Sequence, residues 1–236
     1  MNNYKTMVTV APSLMCGNLC NLEKSIREIE NSCIDRLHID LIDGAFSPSM
    51  PLGIETIKQL RKITDIDFDV HIMSQNNEFF IEEMLKIGVQ QISFHSETSL
   101  HMDRLVKQIK RNHVKAGIAI NPATSLSVLD YVMSECDFIL LMLINPGFAT
   151  DKSESQVPYS IKKIADLRNL IEKRSLNTLI EVDGRVSLEV TPDLVAAGAD
   201  ILVAGSTSLF IPGNTLAENK KKMMEAVNVG LERRGI

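Results

Sequence analysis

The sequence predicts a closed (β/α)8 barrel of the TIM type, in a single domain spanning residues 1–236, with a doubly wound open sheet as the runner-up. Three observations point there. Short apolar runs rich in β-branched residues recur eight times, amphipathic stretches separate them, and no linker or composition shift divides the chain. Strict alternation of strand and helix demands parallel strands joined by crossover helices, and eight units of about 30 residues is the arithmetic of a closed barrel.

In chain order the strand runs are "VTVAPSL", "RLHIDLID", "DFDVHIM", "QISFH", "KAGIAI", "FILLMLI", "TLIEVDG" and "DILVAG", each bounded by polar or glycine-containing turns. Between them, apolar residues three or four apart mark helices: Leu22, Ile26 and Ile29; Ile54, Ile57 and Leu60; Phe80, Met84 and Ile87; Leu105 and Ile109. The pattern continues with Leu126 to Met133, Ile161 to Ile171, "SLEVTPDLVAAGA" and a closing helix from about Thr215 to Arg233. Pro192 is tolerated only in a first helical turn, which starts the seventh helix near Thr191.

Hydrophobic residues at 44% and charged residues at 23% fit an ordinary globular protein. A net charge of −5 provides no general basic field, and the lysines of "NKKKMM" read as a solvated helix face, so no nucleic-acid partner is expected. The start "MNNYKTMVTVAPS" has no leader pattern and no apolar run reaches a membrane-spanning length, which leads us to expect a cytoplasmic protein with no membrane partner. Cys16 and Cys20 are spaced unlike redox or zinc-knuckle pairs, and the four cysteines read as free thiols.

Chemistry enters through strand parity. Side chains alternate between faces, so in "LHIDLIDG" Leu37, Ile39 and Leu41 share one side and His38, Asp40 and Ile42 the other. The apolar set suits the helices, which turns His38 and Asp40 into the barrel. The same parity groups Asp69, His71 and Met73, and pairs Glu181 with Asp183. Unpaired buried carboxylates cost several kcal/mol, so they require hydrogen bonds, a cation or a metal. His38, Asp40, His71 and Asp183 lie late in their strands, at the end where barrel active sites form, and two imidazoles with two carboxylates suit a divalent metal, Zn2+ or Fe2+ before Mn2+, Co2+ or Mg2+. Asp43, of opposite parity, belongs to the turn. Glycines in "VDGR", "VAGS" and "INPGF" make tight turns or present backbone N–H groups to a phosphate, for which a phosphorylated small molecule is the natural guest.

The motifs "PSLMC", "HIDLIDGAFSPS", "DVHIM", "INPAT", "NPGF", "VDG" and "AGS", in order from Ser13 to Ser206, resemble the ketose-phosphate 3-epimerases of the ribulose-phosphate 3-epimerase family. The resemblance implies a barrel that binds one divalent metal and inverts carbon 3 of a phosphorylated ketose. By motif position it implies His38, Asp40, His71 and Asp183 as ligands, with Asp40 and Asp183 doubling as the acid/base pair. It also implies that Ser13, His71, Met73 and Met142 contact substrate. Gly147, Ala149, Gly184, Arg185, Gly205 and Ser206 fall on the substrate and phosphate loops. Inversion needs protons removed and delivered on opposite faces, which two carboxylates manage and one does not.

Two departures stand out. Arg185 replaces the family's second glycine, either supplying a cation to the phosphate or obstructing its cradle, and the loop after Phe148 reads "ATDKSES", with Lys152 as one candidate phosphate contact. Within the family, "PSLMC", Glu181 and "STSLF" look more like the D-allulose-6-phosphate 3-epimerases. That implies the D-allulose 6-phosphate/D-fructose 6-phosphate pair as substrate, ahead of D-ribulose 5-phosphate/D-xylulose 5-phosphate. Barrels of this kind often self-associate, so a homo-oligomer is compatible, although no helix face marks an interface. Two other classes compete. Phosphate-barrel decarboxylases carry an Asp-x-Lys-x-x-Asp run, and "DFDVHIM" has no lysine. A non-catalytic sugar-phosphate-binding barrel would account for the altered phosphate loops.

Overall fold

The computed structural model describes residues 8–147 and 153–236, so Ala149 and Lys152 lie outside the described residues. Each apolar run forms a strand: β1 Thr9–Pro12, β2 Arg36–Ile42, β3 Asp67–Met73, β4 Gln91–His95, β5 Lys115–Ile120, β6 Phe138–Met142, β7 Leu179–Asp183 and β8 Ile201–Ala204. All pairings are parallel, in the order β1-β8-β7-β6-β5-β4-β3-β2. A parallel bridge between Ser13 and His38 closes the ring between β1 and β2. The barrel expectation holds, and the open sheet is excluded.

Seven α-helices stand among the described residues: α1 Leu22–Asn31, α2 Ile54–Arg61, α3 Asn77–Ile87, α4 Met102–Arg111, α5 Ser160–Lys173, α6 Thr191–Ala197 and α7 Leu216–Arg234. α6 begins at Thr191 with Pro192 in its first turn, where no backbone donor is needed. α7 opens on a capping box, with the Thr215 hydroxyl accepting from Glu218 N–H and the Glu218 carboxylate accepting from Thr215 N–H. The helix expected over Leu126 to Met133 does not form. Two short 3-10 turns, Leu126–Leu129 and Met133–Glu135, take its place. Ser125 accepts from the Ser127 N–H and the β-branched Val128 and Val132 are poor helix formers, so ten residues with few strong formers settle into isolated turns.

Alternation separates two packing layers. Leu37, Ile39, Leu41, Val70, Ile72, Ile92 and Phe94 belong to the large buried cluster against the helices. Inside the ring, Ala119, Phe138, Leu140, Met142 and Ile144 make a small apolar cluster on the β5 and β6 side. Gly117 permits it, because a Cβ there would meet the Phe138 ring at 2.3 Å. The opposite half of the interior is polar, and it carries the site.

Candidate active site

β2 and β3 pair in a register that puts His38 beside Asp69 and Asp40 beside His71, while β6 and β7 put Met142 beside Asp183. These pairings bring His38, Asp40, His71 and Asp183 together at the C-terminal mouth, with one ligand atom from each inside a 4.8 Å group. Asp40 Oδ1 lies 3.5 Å from His38 Nε2 and 3.7 Å from His71 Nδ1, and Asp183 Oδ2 lies 3.6 Å from the same His71 nitrogen. Both histidines are fully buried, whereas Asp183 keeps 17% of its side chain exposed toward the opening.

His38 Nε2 and His71 Nδ1 are buried without a hydrogen-bond partner among the described residues. Buried polar atoms are almost always satisfied, and two orphaned nitrogens facing two carboxylates at 3.5 to 3.7 Å fit a cation held among all four. The electrostatics agree. Burial opposes charge on His38, but Asp40 and Asp69 outweigh it and hold its pKa well above the ordinary value. Burial likewise opposes charge on Asp40, and His38 and His71 outweigh it, keeping that carboxyl far below the usual range. The pocket favours positive charge.

A second layer lies beneath. His38 Nδ1 donates to Asp69 Oδ2 at 3.0 Å, and the Gln91 amide donates to Asp69 at 2.9 Å and Glu181 at 3.1 Å. Burial and the Asp69 charge push the Glu181 pKa well up. With Nδ1 committed to Asp69, Nε2 is the nitrogen His38 turns into the site, where a cation would take the place of its proton.

Above the four ligand candidates, Ser13, Asp40, Met73, Met142 and Asp183 line one cleft. Gly147, Gly184, Arg185, Gly205 and Ser206 line it as well, with Met15, Cys16 and Thr207, which sequence reasoning did not single out. The Ser13 hydroxyl donates to Asp40 Oδ2 at 2.7 Å. Asp43 accepts from the Ala45, Phe46 and Gln75 amides and from Ser74, the turn role expected of it. Gly184 has φ of +118°, and a Cβ there would lie 2.9 Å from Ile144 N.

Arg185 also occupies the left-handed region, at φ +51°, an uncommon position for a residue with a side chain. Its Nε donates to the Glu154 carbonyl at 3.0 Å and Gln156 donates to the Gly184 and Arg185 carbonyls, while Nη2 is buried without a partner among the described residues. Arg185, Ser206 and Thr207 are shared with an adjoining cavity of about 740 Å³. Glu181, one marker of the hexulose reading, is fully buried beneath His38 and does not line the cleft. It is therefore out of reach as a gauge of substrate length.

The model of the ribulose-phosphate 3 epimerase family matches residues 9–210. A ribulose-phosphate 3-epimerase of Bacillus subtilis is 37% identical over 200 residues, covering 85% of this chain and 91% of that protein. One of Escherichia coli K12 is 36% identical over 198 residues, covering 84% and 87%. Among solved structures, the 3-hexulose-6-phosphate synthase of Salmonella typhimurium superposes with a TM-score of 0.69 at 15% identity, covering 94% of this chain and 99% of that one, a likeness of fold alone.

Proposed function

The chain belongs to the ribulose-phosphate 3-epimerase family, and from that premise we propose that it interconverts D-ribulose 5-phosphate and D-xylulose 5-phosphate by proton transfer at carbon 3. The observation that carries the reading is the convergence of His38, Asp40, His71 and Asp183 at the mouth of the barrel. The curated relatives are named for the pentulose phosphate, which favours it over the hexulose phosphate that the motifs of the first and eighth strands suggest.

His38, Asp40, His71 and Asp183 would hold the divalent ion, which supplies stabilisation of negative charge on the C2 and C3 oxygens when bound. The chain's own residues handle the proton. Carbon 3 lies beside the C2 ketone, so loss of its proton gives an ene-diolate. Asp40 and Asp183 project from β2 and β7 toward one point, one taking the proton as base and the other returning a proton to the opposite face. Asp40, held ionised by its histidines, starts as the base in one direction of the epimerisation. Met73 and Met142 present apolar surface beside the carboxylates. The turn Gly184–Arg185 and the pair Gly205–Ser206 receive the phosphate.

The experiment is incubation of each ketose phosphate in heavy water. Deuterium entering C3 of ribulose 5-phosphate, with xylulose 5-phosphate appearing and no carbon dioxide released, supports the reading. Faster turnover of allulose 6-phosphate transfers it to the hexulose pair. Binding with no exchange in metal-loaded protein identifies a sugar-phosphate-binding barrel instead.

A further inference from the structure

Behind His71, away from the cleft, runs a chain of hydrogen bonds that the proton transfer does not use. His71 Nε2 lies 3.0 Å from His95 Nε2, and His95 Nδ1 lies 3.0 Å from Glu97 Oε2. The two imidazoles stack with centroids 5.1 Å apart, and Phe46 covers His95 at 4.5 Å. Glu97 Oε1 accepts from the Asn121 amide at 2.7 Å and from the Thr124 hydroxyl. The loop supplying those donors is itself tied down, because the Lys163 ammonium donates to the carbonyls of Asn121, Pro122 and Thr124, each at 2.8 Å. The Ser99 hydroxyl holds the His95 carbonyl at 2.8 Å.

The order of donors in this chain follows from its Glu97 end. Both carboxylate oxygens of Glu97 accept, so His95 Nδ1 must carry a hydrogen. His95 is fully buried between His71 and Phe46, surroundings that disfavour a charged ring, and with its single hydrogen on Nδ1 its Nε2 is an acceptor. The His71 Nε2 facing it must then be the donor. That leaves the buried Nδ1 of His71, unpartnered among the described residues, as the nitrogen that faces Asp40 and Asp183 and that a cation would take.

We infer that Glu97 is a positioning residue that acts through His95 to set the tautomer of His71, presenting His71 Nδ1 as a ligand for the divalent ion. His38 obtains the same result from Asp69 directly; His71 obtains it across one more ring. Histidine ligands generally need such a partner on their other nitrogen, and loss of one costs roughly 10–100-fold in metal affinity. A glutamine at position 97 would offer one acceptor oxygen where two are needed. With that oxygen turned to Asn121 and Thr124, its amide faces His95 Nδ1, inverting the His95 tautomer and setting two donors against each other at His71. His95→Gln, by contrast, preserves the order, its oxygen accepting from His71 and its amide donating to Glu97.

The inference rests on the metal-site reading for the ion at His71 Nδ1, while the tautomer order of His95 and His71 is tested apart from it. The chain has five histidines, few enough for 15N-histidine labelling of the full chain and assignment of each ring nitrogen by long-range proton–nitrogen correlation without metal. The expected spectrum shows His95 protonated at Nδ1 and bare at Nε2; a His95 protonated at Nε2 overturns the proposal. In parallel, Co2+ is titrated by its visible absorption. Glu97→Gln and His95→Leu should weaken binding about 10–100-fold while His95→Gln stays close to the unmodified chain. Affinity within twofold in Glu97→Gln, or equal losses in His95→Leu and His95→Gln, overturns the proposal. No Co2+ binding by the unmodified chain removes the metal reading, and the nitrogen spectrum still decides the tautomer.

Discussion

Ser13 and Asp40 are joined by a 2.7 Å hydrogen bond that reaches Oδ2 of the carboxylate, while Oδ1 faces His38 and His71. The two oxygens therefore have separate environments, one toward the cation site and one toward the cleft. Ser13 also forms the bridge that closes the barrel beside His38. Removing the hydroxyl frees Oδ2 to rotate and leaves it unsatisfied in a buried setting. Ser13→Ala should lower kcat roughly tenfold, in line with a charge-assisted hydrogen bond of about 1.5–3 kcal/mol partly replaced by water, with little change in the KM for sugar phosphate. An unchanged kcat would show that Asp40 needs no such orientation.

Asp40→Asn and Asp183→Asn test the acid/base pair. Each removes a proton acceptor at nearly constant volume, so the fold survives and turnover falls by at least about 10²–10⁴-fold. Deuterium exchange at C3, followed separately from each epimer, should be lost unequally in the two variants, because each carboxylate serves one face. Near-normal rates in either variant remove that residue from the proton path.

Arg185 holds a left-handed backbone at φ +51° and, among the described residues, a guanidinium nitrogen without a partner beside the cleft. Arg185→Gly relieves a conformation that costs about 1–2 kcal/mol for an L-residue but withdraws the cation. The expected result is a KM for sugar phosphate raised roughly tenfold or more, with unfolding free energy unchanged or higher. A KM that falls would show that the side chain obstructs the phosphate cradle.

Gly117→Ala tests the barrel interior. A Cβ at this position meets three atoms of the Phe138 ring at 2.3 to 2.6 Å, and the ring is walled by other interior residues. Overpacking should cost about 1–3 kcal/mol or more in denaturant unfolding. Pairing it with Phe138→Leu should recover part of the loss, and an undiminished loss would locate the strain elsewhere.

The buried His95 carries a pH signature. Its folded pKa is about 4 against an ordinary 6.5, so between those values the unfolded chain binds a proton that the folded chain refuses. Stability from this group accordingly rises as pH climbs from about 4 to 6.5 and is flat above, a difference of roughly 3 kcal/mol. Unfolding free energies of the unmodified chain and of His95→Gln, measured from pH 4 to pH 8, should diverge over that window. Parallel curves would mean that folding leaves the His95 pKa at its ordinary value, and a divergence of opposite sign above about pH 6.5 would mean that the ring is charged in the fold.

All eight strands and seven of the eight helical intervals were legible in the sequence, because burial of one face writes its period directly into the residues. The same parity picked out His38, Asp40, His71 and Asp183 before any geometry. Applied to β4 it also sets Gln91, Ser93 and His95 on the inner face, a signal present in "QISFH" although that strand carries no carboxylate. Glu97 left no such trace. It lies beyond the strand in a 3-10 turn, and only the path of the Asn121–Thr124 loop brings donors to it.

What the sequence determined by itself was the fold, the family resemblance and the residue types of the site, all of which follow from local periodicity and short motifs. What the tertiary structure decided was how those groups share protons and space. It divided the oxygens of Asp40, placed Glu181 below His38 where it cannot touch substrate, and lined up His71, His95 and Glu97. These are relations among side chains on different strands, and they depend on inter-strand register and on distances of about 3 Å. A pattern along one strand contains neither.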